Sequence, residues 1–166
     1  KVLGQGQTPT YVFTPTYIEE GHLIQQPAYS KEPMAQRNEE AIKLLEEAGY
    51  SKANPLKFSI LYNTNENHKK VAIAAASMWK ANTKGLIDVK LENQEWKTYI
   101  DSRRAGRYDA ARAGWNADYN QATTFGNYFL SNSSNNTAKY ANPEYDKAIA
   151  ESYVATDAEG RAKAYA

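Results

Sequence analysis

The sequence contains no cysteine, which excludes disulfide bonds and thiolate metal sites but does not fix the cellular compartment. It has no apolar run of about 18 residues, so no segment is predicted to span a membrane. The two histidines, His22 and His68, are far apart and lack a partner at ligand spacing, so no metal site is expected. Motifs for a serine nucleophile, a phosphate-binding loop, a zinc protease or a dinucleotide site are also missing. No catalytic residue and no cofactor is therefore expected.

Basic and acidic residues nearly balance, with 20 Lys and Arg against 19 Asp and Glu. The formal net charge is +1, which gives no field for a polyanion, so nucleic acid is not an expected partner. With 42% hydrophobic and 23% charged residues, the composition is typical of a soluble globular protein. Thirteen tyrosines and three tryptophans are many for 166 residues. Aromatic side chains with a polar tip serve either wet binding surfaces or a core.

Hydrophobic periodicity predicts an α/β domain. Helices are predicted over residues 34–48 and 68–82, within 95–106 and 122–130, over 144–155, and once more after Asp157. Strands are predicted over residues 56–62, 86–93 and 108–115. The strand–helix–strand order implies a right-handed parallel crossover. Residues 1–31 have no sustained period and are interpreted as an ordered loop over the domain, with room for one short strand.

Both ends of the sequence indicate an internal piece of a longer protein. The chain starts at Lys1 without a methionine or a signal peptide. It stops within AEGRAKAYA, a helix-forming run with no terminator after it. Any targeting segment is expected to lie outside the sequence.

The stretch ARAGWNADYN combines a cation, Arg112, and an anion, Asp118, with small residues and Trp115. It follows the third predicted strand, and open α/β sheets bind ligands at the carboxyl ends of their strands. Asp118 can hold a cation such as an ammonium group, cap the following turn, or pair with Arg112. Arg112 is expected to be partly buried and to need a carboxylate, which either the ligand or an acid of the chain supplies. The acids considered are Asp101, Asp109 and Asp118.

Two further basic sites allow a functional and a structural interpretation. His68, at the start of its predicted helix, can donate to an anion there, or it is an exposed histidine near a helix end. The run Arg103–Arg107 is predicted to be a solvated helix end, where cations offset the helix dipole.

The tryptophans also allow a functional and a structural interpretation. Trp96 and Trp115 each follow a predicted strand, so their rings can line one pocket at the carboxyl edge of the sheet. Trp96 is alternatively a core residue, because its spacing to Tyr99 places both on one helical face. Trp79 shares the apolar stripe of its helix and is predicted to lie in the core.

Three blocks carry a specific resemblance. LYNTNENHKKVAIAAASMWK, NQEWKTYIDSRRAGRYD and ARAGWNADYN…LSNSSNNT resemble, in order and spacing, the periplasmic oligopeptide-binding proteins of bacterial ABC importers (solute-binding protein family 5). The resemblance runs through the whole chain. It implies an α/β fold in which residues 1–166 form a single lobe of a two-lobed periplasmic-binding-protein-like (type II) fold. A mixed sheet flanked by helices is expected in that lobe.

The resemblance assigns the charged positions to the two ends of a peptide. Asp118 matches the acid that binds the α-ammonium group of the ligand. Arg112, Arg103 and His68 match cations that meet the peptide carboxylate, with the choice depending on peptide length. A receptor for many sequences must use what all peptides share, which is main-chain groups, one ammonium and one carboxylate.

The resemblance also assigns contacts along the peptide. Trp115 and Trp96 match aromatic residues that line hydrated side-chain pockets, where water fills unused space. The backbone around Gly114 and Asn116 matches the edge that hydrogen-bonds an extended ligand. Asn116 stands where some close relatives carry cysteine, so the pocket beside it is expected to prefer different side chains.

The function that the resemblance implies is non-enzymatic. The receptor binds short peptides in the periplasm and delivers them to the membrane permease of an ABC transporter. A receptor for murein peptides or another specialised ligand of the same family is the alternative. A carbohydrate-binding or glycosidase domain would need paired carboxylates, and Asp118 has no acidic mate in its own loop.

Overall fold

A computed structural model describes residues 2–165, which form two compact units. The sheet unit comprises residues 2–7 and 31–113, and the helical unit comprises residues 8–30 and 114–165. Among the described residues, none of the helices combines the length and apolar character that crossing a membrane requires.

The sheet unit alternates helices and strands as predicted. Its elements are α1 Met34–Glu47, β1 Leu56–Asn63, α2 Glu66–Asn82, β2 Ile87–Gln94, α3 Trp96–Arg104 and β3 Ala110–Ala111. The strand order is β2-β1-β3. β1 runs parallel to β2 from Leu56 opposite Ile87 to Asn63 opposite Gln94, which confirms the predicted parallel crossover.

The third strand is shorter than the predicted 108–115. β3 pairs with β1 only through Ala110 and Ala111, again in parallel. The Arg112 amide extends this ladder by donating to the Leu61 carbonyl at 2.8 Å, and the exposed Gly114 follows outside the sheet. Within residues 2–165 the sheet is therefore parallel throughout rather than mixed.

Local signals set the ends of the helices. The Asn65 side chain begins α2 by accepting from the amides of Asn67 and His68 at 2.9 and 3.2 Å, which satisfies two donors of the first turn. After α1, Gly49 adopts φ +88°, a left-handed conformation that favours glycine. α1 consequently ends at Glu47, one residue before the predicted end.

The core of the sheet unit lies along β1 and α3 and includes Leu61 and Tyr99, 0% and 1% exposed. The prediction that Trp79 lies in this core is wrong, because the residue is 41% exposed. Its ring contacts Phe58, with ring centroids 5.8 Å apart, while the buried residue of α2 is Ala72. The buried face of α2 is therefore centred on Ala72 rather than on the apolar stripe that contains Trp79.

The helical unit contains α4 Thr123–Gly126, a 3₁₀ turn Asn127–Phe129, α5 Pro143–Val154 and α6 Ala158–Ala164. The described part of the loop before residue 31 contains no strand and ends in a 3₁₀ turn, Ala28–Lys31. The ring of Phe13 packs against Phe125, Tyr128 and Phe129 at centroid distances of 5.5, 5.6 and 5.1 Å. Aromatic contacts thus help to hold this loop in place of strand pairing.

Candidate ligand-binding site

Polar and aromatic residues gather where the parallel strands of the sheet unit end. β1 ends at Asn63, β2 is followed after one residue by Trp96, and β3 is followed by Arg112. His68 lies in the first turn of α2, directly after β1. Parallel strands present their carboxyl ends at one edge, so this edge is the place where an α/β sheet binds ligands.

The structure brings His68 and Arg112 to one small pocket of about 200 Å³. The remaining lining is apolar and comes from β1, α2 and β3: Ile60, Val71, Ala72, Ala75, Trp79, Ala110 and Ala111. Two side chains able to bind an anion thus share a mostly apolar wall. An apolar wall strengthens the attraction between a cation and a carboxylate, because it lowers the local dielectric constant.

His68 is held by the end of β1. Its Nδ1 lies 2.9 Å from Oδ1 of the buried Asn63. An amide oxygen only accepts, so Nδ1 carries the proton in this hydrogen bond and Nε2 is left with a lone pair when the ring is neutral. Burial and the positive charge of Arg112 lower the pKa of His68, and the hydrogen bond to Asn63 partly opposes them. His68 is therefore mainly neutral at pH 7, and its Nε2 becomes a donor only on protonation.

Arg112 is fixed by its main chain. Its amide donates to the Leu61 carbonyl, and its own carbonyl accepts a close hydrogen bond from the hydroxyl of Tyr99. Its half-buried side chain forms no ion pair within residues 2–165. Asp109, one acid considered as its partner, instead accepts from the amide and hydroxyl of Ser59 at 2.8 and 3.1 Å.

Arg103 is more buried, and Trp96 more exposed, than their structural interpretations predicted. Arg103 is only 9% exposed, so the prediction of a solvated helix end is wrong for this residue. Its guanidinium carbon lies 5.6 Å from the centroid of the Tyr99 ring, a cation–π distance. Trp96 is 59% exposed, so it is not a core residue and its ring is available at the start of α3.

The remaining predicted residues belong to the helical unit, in the irregular segment 114–118. Gly114 and Asn116 are exposed, and within residues 2–165 the backbone groups of 114–117 form no hydrogen bond to other backbone groups. Trp115 is half-buried, with its ring 5.3 Å from that of Tyr128 and its Nε1 3.4 Å from Oγ1 of Thr124. An irregular exposed segment with open backbone groups is suited to pairing with an extended ligand.

Asp118 presents a free carboxylate. Its backbone amide donates to Oγ1 of Thr124 at 3.1 Å, while its exposed side chain makes neither an ion pair nor a hydrogen bond in the described part of the chain. Asp118 therefore neither caps the following turn nor braces a guanidinium there. Sequence reasoning missed Thr124, which holds both Trp115 and Asp118, because a lone threonine in a short helix carries no sequence signal.

No group of three or more histidine, cysteine, aspartate or glutamate residues within 2–165 is arranged to hold a metal ion. The helical unit offers the Asp118 carboxylate, the ring of Trp115 and the backbone of 114–117, and the sheet unit offers His68, Trp96, Arg103 and Arg112.

Comparison with known proteins places the chain in a family. The chain belongs to the bacterial extracellular solute-binding proteins, family 5, whose family model (family 5 Middle) matches residues 1–137. It is 98% identical over all 166 residues to the periplasmic oligopeptide-binding protein OppA of Haemophilus influenzae. It is 47% identical over 151 residues, 91% of the chain, to the periplasmic murein peptide-binding protein MppA of Escherichia coli.

Solved structures agree with the sequence comparison. The crystal structure of H. influenzae OppA in complex with RPPGFSPFR superposes with a TM-score of 0.96 at 98% identity and covers 99% of this chain. The chain spans 31% of the length of that OppA, 28% of that of MppA and 32% of the crystallised OppA chain. The predicted family resemblance and the fold class, that of a two-lobed periplasmic binding protein, are confirmed.

Proposed function

We propose that residues 1–166 form part of one lobe of a periplasmic receptor that binds short peptides and delivers them to an ABC permease. The observation that carries the proposal is the exposed carboxylate of Asp118, which has no partner within residues 2–165, beside the backbone of 114–117, which has no backbone partner there either. A peptide offers an ammonium group and main-chain hydrogen bonds, which are the partners that this segment lacks.

The sheet unit carries cations suited to a peptide carboxylate. The guanidinium of Arg112 has no acid partner in the described part of the chain. The guanidinium of Arg103 belongs to a buried residue. Alternative cations allow carboxylates of peptides of different length to be bound. The proposal includes no catalytic step, since its chemistry is that of ion pairing and hydrogen bonding, and the relatives named above are binding proteins.

Murein peptides are the second candidate ligand, supported by the similarity to MppA. Mass spectrometry of ligands that co-purify with the full-length receptor separates the candidates. Short peptides of mixed sequence support the proposal, and murein peptides alone support the second candidate. Sugars as the sole ligands, or no binding of defined tri-, tetra- and pentapeptides in calorimetry, would overturn both.

His68 gives the proposal a testable pH dependence. Because the pKa of His68 is lowered, the ring is neutral above its ordinary value of about 6.5, and a bound carboxylate favours the protonated form. Peptides whose carboxylate meets His68 are expected to bind more tightly as pH falls from 7.5 to 5.5. With one proton taken up per peptide, the dissociation constant falls by up to about tenfold per pH unit.

Calorimetry of the full-length receptor across this range measures the effect. His68→Gln, which cannot titrate, is expected to flatten the profile for those peptides. His22→Gln, at an exposed position of the helical unit, serves as the matched control and leaves the profile unchanged. An unchanged slope in the His68 variant would contradict the role of this histidine.

A further inference from the structure

Tyr99 occupies a central position in the candidate site of the sheet unit. It lies in the second turn of α3, is 1% exposed, and is the largest fully buried side chain among the described residues. Neither sequence reasoning nor the family resemblance assigns it a role in binding. A tyrosine buried this completely fixes whatever it touches, because both its ring and its hydroxyl have few alternative positions.

Tyr99 touches three of the residues predicted to bind the ligand. Its hydroxyl donates a close hydrogen bond to the carbonyl of Arg112. Its ring lies 5.6 Å from the guanidinium carbon of Arg103 and 5.7 Å, centroid to centroid, from the ring of Trp96. Trp96 and Arg103 are three residues before and four residues after Tyr99, so the helix places both next to it.

The contact with Arg112 joins two elements. The Arg112 main chain is held by Leu61 of β1 through its amide and by Tyr99 of α3 through its carbonyl. These two bonds fix the peptide units on both sides of the Arg112 Cα, and thereby the direction in which its side chain leaves the end of β3. Losing the Tyr99 bond leaves a carbonyl without its partner and frees the chain at this point.

We propose that Tyr99 is a positioning residue: its hydroxyl orients Arg112 and its ring orients Arg103 and Trp96, so that one side chain holds both cations in place for a peptide carboxylate. The inference rests on the proposed function, because it assumes that these residues bind a peptide. Tyr99 itself does not touch the ligand and acts through its three neighbours.

The test separates the hydroxyl from the ring in the full-length receptor. Tyr99→Phe removes only the hydrogen bond to Arg112, and Tyr99→Leu also removes the ring beside Arg103 and Trp96. Peptides of two to five residues are first sorted by whether Arg112→Ala or Arg103→Ala weakens them more. Tyr99→Phe is expected to weaken the Arg112-dependent peptides by about three- to tenfold, the range that loss of one hydrogen bond gives. It should leave the Arg103-dependent peptides unchanged, whereas Tyr99→Leu weakens both groups.

Tyr145→Phe is the matched control. The Tyr145 hydroxyl donates to the carbonyl of Gly126 at 2.7 Å in the helical unit, so this variant also removes a tyrosine–backbone bond but contacts no candidate ligand residue. It is expected to lower the thermal midpoint as Tyr99→Phe does and to leave all peptide affinities unchanged.

The outcomes are distinguishable. Equal losses for the Arg112-dependent and the Arg103-dependent peptides in Tyr99→Phe, or the same affinities as in Tyr145→Phe, would overturn the inference while leaving the proposed function intact. Failure of the unmodified receptor to bind any peptide would overturn the proposed function and this inference with it. If Tyr99→Leu fails to fold, the comparison of the two peptide groups in Tyr99→Phe still decides the question.

Discussion

Asp118→Ala in the full-length receptor is expected to weaken peptide binding by about 2–5 kcal/mol, the cost of removing one partner of a buried charge pair. The carboxylate is exposed and free of partners in the described part of the chain, so its removal disturbs no internal contact. Closure of the lobes over a peptide would bury the pair of carboxylate and ammonium, and burial makes such a pair stronger than an exposed salt bridge. Isothermal titration calorimetry of one peptide with the unmodified receptor and with its Asp118→Ala variant measures the loss.

A double-mutant cycle identifies the group that Asp118 binds. Acetylating the peptide amino terminus removes its charge, so acetylation is expected to weaken binding to the unmodified receptor. Acetylation is expected to weaken binding to the Asp118→Asn variant only slightly further. Glu151→Gln removes an exposed carboxylate from the same unit, where it pairs with Lys147 at 3.6 Å, and is expected to leave affinity unchanged. Independent, additive losses from acetylation and from Asp118→Asn would show that the acid does not bind the ammonium group.

The sequence was sufficient to predict the elements of the sheet unit because their signals are local. The helix predicted over 34–48 and the strands predicted over 56–62 and 86–93 differ from α1, β1 and β2 by only one residue at their ends. The family resemblance then assigned ligand roles that spacing alone had left open, and these roles stay predictions. For Asp118, three interpretations remained until the structure showed its carboxylate unpaired in the part described.

The failures concern which face of an element is buried. Trp79 lies on an apolar stripe, yet α2 meets the sheet through Ala72, so the larger ring stays at the margin. Trp96 and Arg103 flank Tyr99 on one face of α3, and there the aromatic ring is exposed while the cation is buried. Periodicity reports that a face is apolar, but only packing decides which of its members is covered.

The contacts that orient the site could not be predicted, since they join residues without a shared pattern. Tyr99 reaches the carbonyl of Arg112, which lies beyond the next strand. Asn63 ends β1 and fixes the tautomer of His68 across a helix start. Such pairs depend on the register of the sheet and on the path of each connection. One signal was available, because the i−3 and i+4 spacing of Tyr99 to Trp96 and Arg103 marks it as their common neighbour.

Glu20→Ala is expected to lower the thermal midpoint of the chain by roughly 10 °C, since it breaks the buried ion pair with Arg161 and leaves the Ala122 amide without its acceptor. Glu20 is 0% exposed. One of its oxygens accepts from the Ala122 amide at 3.1 Å, and the other forms a close ion pair with Nε of Arg161 in α6. The hydrogen bond that Arg161 donates to Glu20 raises the pKa of Arg161. Arginine also stays protonated without this bond, so the cation persists when the acid is removed. Glu20 thereby ties the loop before residue 31 to two parts of the helical unit.

Glu19 provides the matched control for this prediction. Its carboxylate lies 3.0 Å from Nη2 of the same arginine, but its side chain is 47% exposed. Exposed ion pairs contribute little, so Glu19→Ala is expected to shift the midpoint by no more than about 3 °C. Glu20→Gln keeps an acceptor for the Ala122 amide and loses the charge, and its midpoint should fall between those of the two alanine variants. Circular dichroism melts of all three measure the shifts. Equal midpoints for Glu19→Ala and Glu20→Ala would mean that burial of Glu20 does not govern the stability of the loop, and that the aromatic contacts of Phe13 hold it instead.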